Sequence, residues 1–213
     1  LLAHCEYSFS SSLLTAYCHK KGVLHINTMH GDKFFYIRDS YTHFDRFYVW
    51  DEHYKSLLIS MMAEPSQFRF FIPEFLKFDI TKYENKDYYA DYKYYLQINT
   101  EEELKGILHS MKRLEGTGAS YKLRPHPRYS DMNLLHQLID ESHIENPKQV
   151  SIQESVANCK CVIGSFSTVL TQAYYSGRGV VLDDITYKER YEKLRDMQYF
   201  LSNKHTLRLS DLI

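Results

Sequence analysis

The sequence has almost no excess of charge of either sign. Its 213 residues include 26 Lys and Arg against 27 Asp and Glu, so the formal net charge is −1 at pH 7. Proteins that bind nucleic acid through its phosphates carry a clear basic surplus. The composition therefore predicts no nucleic-acid partner. Glycine is also scarce, with eight residues, whereas 19 Tyr and 12 Phe indicate a packed, aromatic-rich globular protein.

Long apolar runs are missing too. No segment approaches the roughly 18 consecutive apolar residues that a transmembrane helix needs. No signal peptide is visible either. The chain begins at Leu1 without an initiator Met. This start, in the middle of a pattern, predicts a fragment that lacks part of its N-terminal domain.

Cysteine spacing indicates no zinc site. The four residues include one C-x-C pair and no second pair at ligand spacing. In a strand the side chains of this pair share one face, where free cysteine behaves as a small apolar residue. We expect reduced, buried thiols at Cys5, Cys18, Cys159 and Cys161.

Several motifs that define enzyme classes are absent. Without a D-x-D triplet, the metal–diphosphate clamp of many nucleotide-sugar enzymes is missing, so we expect no metal and no separate cofactor. The G-x-x-x-x-G-K-[ST] loop of P-loop NTPases and the G-x-G-x-x-G fingerprint of dinucleotide enzymes do not occur either. The G-x-S-x-G elbow of α/β-hydrolases is also missing.

From about residue 94 onwards, strands and helices alternate regularly. Capping boxes open helices at Thr100 and Ser151. Short apolar strands that alternate with helices predict a parallel sheet covered by helices, and hence an α/β fold. The predicted strands of this half are 94–98, 120–123, 161–163 and 179–182.

The first 75 residues are less regular. Runs at 22–27, 47–50 and 68–72 predict strands, with a helix between the last two. The stretch that follows is charged, rich in Tyr and without periodicity, as is typical of a linker. The predicted organisation is a partial N-terminal α/β domain at 1–75, a linker at 76–93 and a C-terminal α/β domain at 94–213.

Residues 124–128, Arg-Pro-His-Pro-Arg, follow one predicted strand. The two prolines hold His126 in an extended loop, a suitable place for a general acid. Arg124 and Arg128 could stabilise negative charge on a departing phosphate, and Pro127 belongs to the same candidate site. The alternative is a surface turn with solvated charges.

Residues 164–168, Gly-Ser-Phe-Ser-Thr, follow another predicted strand and open a helix. Backbone N–H groups at Gly164 and the hydroxyls of Ser165, Ser167 and Thr168 could hold a phosphate without a metal, because helix N-termini attract anions. Ordinary N-capping is the alternative. Both segments fall at one edge of the same predicted sheet, and this shared position favours a phosphate site.

Two further places carry polar groups after a strand. In the segment His30-Gly31-Asp32, either His30 or Asp32 could serve as a general base, and a structural histidine is the alternative. Asp183 and Asp184 could contact a sugar hydroxyl or cap the next helix, and we favour capping.

With these residues, the chain resembles bacterial GT-B glycosyltransferases of the lipooligosaccharide and capsule sialyltransferase and polysialyltransferase group. That group carries a His-Pro motif, matched by His126-Pro127, and a Ser-Ser/Thr motif, matched by Ser167-Thr168. The resemblance implies that the C-terminal domain, 94–213, is a Rossmann-type domain that binds the nucleotide sugar. It also implies that His126 acts as the general acid on the leaving CMP, whose phosphate Ser167 and Thr168 bind. The implied partners are a CMP-sialic acid donor and a surface glycan acceptor.

The acidic Asp/Glu-Asp/Glu-Gly motif that supplies the group's general base does not occur in the sequence. His30-Gly31 is similar instead to the His-Gly motif of CDP-glycerol glycerophosphotransferases. A polyol-phosphate transferase is therefore one alternative, and an inactive nucleotide- or sugar-binding module is another. For an enzyme of this group we expect a cytoplasmic location, with peripheral contact at the inner membrane face. The sequence does not indicate an oligomeric state.

Overall fold

The computed structural model describes residues 1–4, 8, 10–32, 34–204 and 206–213. The predicted buried thiol of Cys5 lies outside these residues. The described chain forms two compact units, Leu1–Glu74 with Asp196–Asn203 and Phe75–Arg195 with Lys204–Ile213. Each unit is built on a parallel sheet with helices, so the fold is α/β as predicted.

The first unit contains β1 (Leu2–His4), α1 (Ser10–Lys20), β2 (Ile26–Thr28), β3 (Arg46–Val49), α2 (Glu52–Ser60) and β4 (Phe68–Phe70). Its strands pair in parallel in the order β1-β2-β3-β4. In β3, Phe47 and Val49 are buried while their neighbours are more exposed, so one face of the strand meets the core. The returning segment Asp196–Asn203 adds Phe200, whose ring stacks on Tyr54 at 5.3 Å between centroids.

The sequence pattern predicts neither β1 nor α1. The buried residues of α1 are Ser11, Thr15 and Cys18, which have helical spacing but are polar or small. A hydrophobic pattern therefore does not reveal this helix. Gly22, with φ near +67°, follows the helix and donates its N–H to the His19 carbonyl at 3.0 Å. The strand predicted at 22–27 consequently begins only at Ile26.

The second unit contains β5 (Ala90–Tyr95), α3 (Glu101–Glu115), β6 (Tyr121–Arg124), α4 (Met132–Leu138), α5 (Ile152–Ala157), β7 (Cys159–Gly164), α6 (Thr168–Tyr175), β8 (Gly179–Leu182), α7 (Lys188–Asp196) and β9 (Leu207–Arg208). Its five strands are parallel, in the order β6-β5-β7-β8-β9. The bounds predicted for the strand 179–182 are confirmed, and α6 begins at Thr168, in the segment predicted to open a helix.

Local hydrogen bonds set the helix starts in this unit. Thr100 Oγ1 accepts from the Glu103 N–H, and the Glu103 carboxylate accepts from the Thr100 N–H, so the predicted capping box is confirmed. Ser151 and Glu154 form the second predicted box. Apolar residues of α3 then pack against the sheet in one buried cluster, whose members include Leu104, Ile107, Leu108, Met111 and Leu114.

The segment predicted as a linker at 76–93 packs within the second unit. Asn158 Oδ1 accepts from the Asn85 N–H at 2.6 Å, and Asn158 Nδ2 donates to the Tyr83 carbonyl at 2.8 Å. The strand predicted at 94–98 begins earlier, at Ala90. The two compact units thus differ from the predicted domains, because 76–93 belongs to the second unit and residues 196–203 to the first. No helix within the described ranges combines the length and apolar character needed to cross a membrane.

Candidate functional site

The second sheet has a topological switch point between β5 and β7. The chain runs from β5 outwards to β6 on one side and then returns to β7 on the other side of β5. In open α/β sheets with this strand order, ligands bind outside the carboxyl ends of the strands at the switch point. The loops after β5 and β7 therefore define the candidate site, with the loop after β6 next to them.

His126 lies in the loop after β6. It is half-buried, and its ring stacks on Tyr129 at 4.5 Å between centroids. Nδ1 accepts a hydrogen bond from the Arg128 N–H at 3.1 Å. In the neutral ring the proton therefore resides on Nε2. Nε2 has no partner among the described residues, so this atom is the donor that His126 can offer to a ligand.

Arg124 occupies a different position from the one expected of a phosphate ligand. It is buried, its Nη1 lies 2.6 Å from Glu145 Oε1, and its Nη2 donates to the Val150 carbonyl at 2.8 Å. Lys93, fully buried, reaches the other oxygen of Glu145 at 2.5 Å. The Arg124 guanidinium is thus committed to this buried network, whereas Pro127 and Arg128 are exposed.

The segment 164–168 joins β7 to α6. Gly164 is buried, and a Cβ at this position would stand 3.4 Å from the Leu170 side chain. Ser167 caps α6 by accepting from the Val169 N–H, and Thr168 is the exposed first residue of the helix. The positive end of the α6 dipole thus lies at the carboxyl edge of the sheet, where it can attract an anion.

Gln97, in the loop after β5, connects the two predicted motifs. Its side-chain amide donates to the Phe166 carbonyl in the segment after β7. Its own carbonyl accepts from Ser130 Oγ at 3.4 Å, and Ser130 Oγ in turn accepts from the His126 N–H at 2.8 Å. The loops that carry His126 and Ser167 therefore lie on either side of one residue, as their shared sheet edge predicts.

Three residues of this edge were not singled out from the sequence. Asn99 donates to the Tyr187 hydroxyl, and Tyr187 carries the guanidinium of Arg190 at 4.9 Å from its ring centroid. Arg190 Nη1 also donates to Ser165 Oγ at 3.2 Å. Burial raises the pKa of Tyr187 to about 12, so its hydroxyl stays protonated at neutral pH. No local sequence signal marks these residues, because 25 positions separate Arg190 from Ser165.

A cavity of about 340 Å³ opens beside His126. One wall comes from the loop and helix that follow β6, and the other comes from the segment around residues 141–148. The polar lining combines acidic, basic, amide and imidazole groups with apolar side chains. The lining residues are Pro125, His126, Pro127, Ser130, Met132, His136, Glu141, Ile144, Asn146, Pro147 and Lys148.

The candidate bases from the sequence belong to the first unit. His30 is exposed, and its ring centroid lies 5.1 Å from that of His4 at the end of β1. Asp32 is half-buried and accepts a hydrogen bond from the buried Tyr54 hydroxyl at 2.9 Å. The neighbouring pair of imidazoles was not predicted, because His4 precedes His30 by a whole helix.

The two aspartates after β8 have structural partners. Asp183 Oδ1 accepts from the backbone N–H groups of Ile185 and Thr186, and Oδ2 accepts from the Tyr94 hydroxyl at 2.5 Å. Asp184 accepts from Ser210. Asp183 thus closes a turn and does not cap the next helix as we expected, because α7 begins only at Lys188. Within the described part of the chain, no group of three His, Cys, Asp or Glu side chains has an arrangement that could hold a metal ion.

Neither a known protein family nor a curated protein sequence matches the chain. Solved structures do. HepE from Anabaena, solved in complex with UDP, aligns with a TM-score of 0.50 at 11% identity, over 86% of this chain and 60% of its own. A protein from Listeria monocytogenes assigned as a UDP-N-acetylglucosamine 2-epimerase aligns with a TM-score of 0.50 at 10% identity, and the alignment covers 90% of this chain and 59% of that protein. The lipopolysaccharide outer core galactosyltransferase WaaB, in its apo form, aligns with a TM-score of 0.47 at 14% identity, and the alignment covers 86% of this chain and 56% of WaaB.

At these identities the similarity shows the fold. The chain has an α/β fold of the GT-B-like, Rossmann-type architecture, as predicted. The chain spans less than two thirds of the length of each of these structures.

Proposed function

We propose that the protein is a metal-independent, inverting glycosyltransferase that uses a nucleotide-activated sugar. The proposed donor is CMP-sialic acid or a similar acidic sugar on CMP, and the proposed acceptor is a cell-surface or capsule glycan. The enzyme would act in the cytoplasm, with peripheral contact at the inner membrane face where such glycans are assembled.

The observation that carries this proposal is the pair of contacts made by Gln97. Through them, the His126 loop and the start of α6 are held on the two sides of β5, at the switch point of the sheet. An anion between these loops would meet the N-terminus of α6 and the hydroxyls of Ser167 and Thr168. Each motif alone fits a turn or a helix cap, and their joint position supports a phosphate site.

The proposed reaction assigns a role to each group. The acceptor hydroxyl attacks the anomeric carbon of the donor, the bond from that carbon to the phosphate oxygen breaks, and CMP leaves. Nε2–H of His126 donates a hydrogen bond to the departing phosphate oxygen and so stabilises its negative charge, while Ser167 and Thr168 bind the phosphate. The cavity beside His126 takes the nucleoside, whose size suits about 340 Å³. The base that takes the proton of the acceptor hydroxyl is, as the sequence predicts, either His30 or Asp32.

The test is release of CMP from CMP-sialic acid in the presence of oligosaccharide acceptors. His126→Ala should lower kcat by about 100-fold or more, the usual cost of losing one hydrogen bond to the charge that develops in the transition state, and leave the Kd for CMP nearly unchanged. His109→Ala is the matched control, because His109 is an exposed histidine of α3. If the two variants lose equal activity, His126 does not have the proposed role.

Two other donors belong in the same assay. UDP-sugars are included because HepE was solved with UDP, and CDP-glycerol is included because of the His30-Gly31 pair. Turnover of CDP-glycerol alone would show a polyol-phosphate transferase, and turnover of a UDP-sugar alone would replace the CMP donor. Binding of CMP without any transfer would favour a binding module.

A further inference from the structure

We propose that Arg190 of α7, rather than Arg124, binds the phosphate of the nucleotide donor. This inference rests on the proposed function and names a binding residue that the sequence motifs do not contain. Three observations carry it: the fixed position of the Arg190 guanidinium, the absence of a carboxylate partner, and a buried hydroxyl that it orients.

Two contacts hold the Arg190 guanidinium at the switch point. It lies 4.9 Å from the ring centroid of Tyr187, and Nη1 donates to Ser165 Oγ at 3.2 Å. Tyr187 is itself 8% exposed and hydrogen-bonded to Asn99 in the loop after β5. Stacking on an aromatic ring and one hydrogen bond restrict an otherwise flexible side chain, so less conformational entropy is lost when it binds a ligand.

The charge of Arg190 is not neutralised by the protein. Among the residues that the structure describes, no carboxylate lies within ion-pair distance of its guanidinium. By contrast, three other arginines of the second unit have a carboxylate partner: Arg124 with Glu145, Arg178 with Glu84 and Arg208 with Asp211. A fixed and exposed guanidinium without an acidic partner is suited to an anionic ligand, and its planar set of donors matches a phosphate.

Ser165 provides the second ligand group. Its side chain belongs to a residue that is 6% exposed, and its oxygen accepts from Arg190. Within the described chain, no acceptor receives the Ser165 hydroxyl proton. A buried donor without an acceptor is costly unless a ligand supplies one. Arg190 and Ser165 can therefore donate to the same phosphate, two residues before the Ser167 cap of α6.

The experiment compares CMP with cytidine, because the two ligands differ only in the phosphate. Calorimetric Kd values are measured for both ligands with the wild type, Arg190→Ala and Arg190→Lys. Arg190→Ala should raise the Kd for CMP by about 10- to 100-fold, as expected for the loss of a charge-assisted hydrogen bond, and leave the Kd for cytidine unchanged. The CMP affinity of Arg190→Lys should lie between those of the wild type and Arg190→Ala, because lysine keeps the positive charge but lacks the planar set of N–H donors.

Lys188→Ala is the matched control, since it removes the same charge from the same helix. Lys188 is exposed and lies two positions, or about 200°, around the helix axis from Arg190. Equal CMP affinity in Arg190→Ala and Lys188→Ala would overturn the assignment, and so would an equal loss for cytidine and CMP. A wild type that binds neither CMP nor UDP would overturn the proposed function as well. Normal CMP binding by Arg190→Ala would overturn only the role of Arg190.

Discussion

Removal of the Glu145 carboxylate is expected to destabilise the second unit strongly. Glu145 accepts from Lys93 at 2.5 Å, from Arg124 at 2.6 Å and from the Ser155 hydroxyl. Both cations are buried, with 0% and 6% of their surfaces exposed. Glu145→Ala would leave two buried charges without a counter-charge. Breaking one buried pair in this way costs about 3–5 kcal/mol, so the loss here should reach at least that range.

Two comparison variants make the reasoning testable. Lys93→Met removes a fully buried ammonium and leaves one cation paired with one carboxylate. We therefore expect the free energy of unfolding to change by no more than about 1 kcal/mol. Glu141→Gln removes an exposed carboxylate from the nearby segment and should change stability by less than about 0.5 kcal/mol. Glu145→Ala should therefore lose far more unfolding free energy than either Lys93→Met or Glu141→Gln.

Urea denaturation followed by far-UV circular dichroism measures these differences. A loss of about 3–5 kcal/mol corresponds to a fall in Tm on the order of 10 °C for a chain of this size. Trp50, the only tryptophan, lies in the first unit and reports on that unit by fluorescence. The reasoning is refuted if Glu145→Ala stays within 1 kcal/mol of Glu141→Gln, taken as about the limit of such measurements. It is also refuted if Lys93→Met costs as much as Glu145→Ala.

Two further predictions concern the cysteines. Gly179→Ala should lower the free energy of unfolding by about 1–3 kcal/mol, because the new Cβ would lie 2.5 Å from Cys161 Sγ. The double variant Gly179→Ala/Cys161→Ala should recover most of that loss, as measured by urea denaturation. In a native Cys5→Ser variant, Ellman's reagent at pH 8 should find no rapidly reacting thiol, because Cys18, Cys159 and Cys161 are buried and burial raises the pKa of Cys159 to about 12. A thiol that reacts at the rate of a free peptide would contradict this burial.

Features that depend on neighbours in sequence could be predicted. The capping boxes at Thr100 and Ser151 and the helix beginning at Thr168 were found because their signals span three or four residues. The parallel sheet of the second unit follows from short apolar strands between helices. Helix α1 could not be found in this way, because its buried face is made of Ser11, Thr15 and Cys18 instead of large apolar residues.

Features that depend on residues distant in sequence could not be predicted. Arg124 stands beside His126 in the sequence, yet its partner Glu145 is 21 positions away and removes its guanidinium from the candidate site. Arg190 belongs to no motif, yet it reaches Ser165 across 25 positions. The sequence motif therefore predicted loops that do meet at one edge of the sheet, whereas the tertiary contacts of Arg124 and Arg190 could not be read from it.

The return of Asp196–Asn203 to the first unit has a consequence for synthesis on the ribosome. Domains generally fold in order from the N-terminus as the chain emerges. Here the stacking of Phe200 on Tyr54 requires a residue that follows nearly all of the second unit. The first unit is therefore completed only after nearly all of the second unit has been made, and a nascent chain that stops before Phe200 would expose the apolar face of Tyr54 to chaperones and proteases.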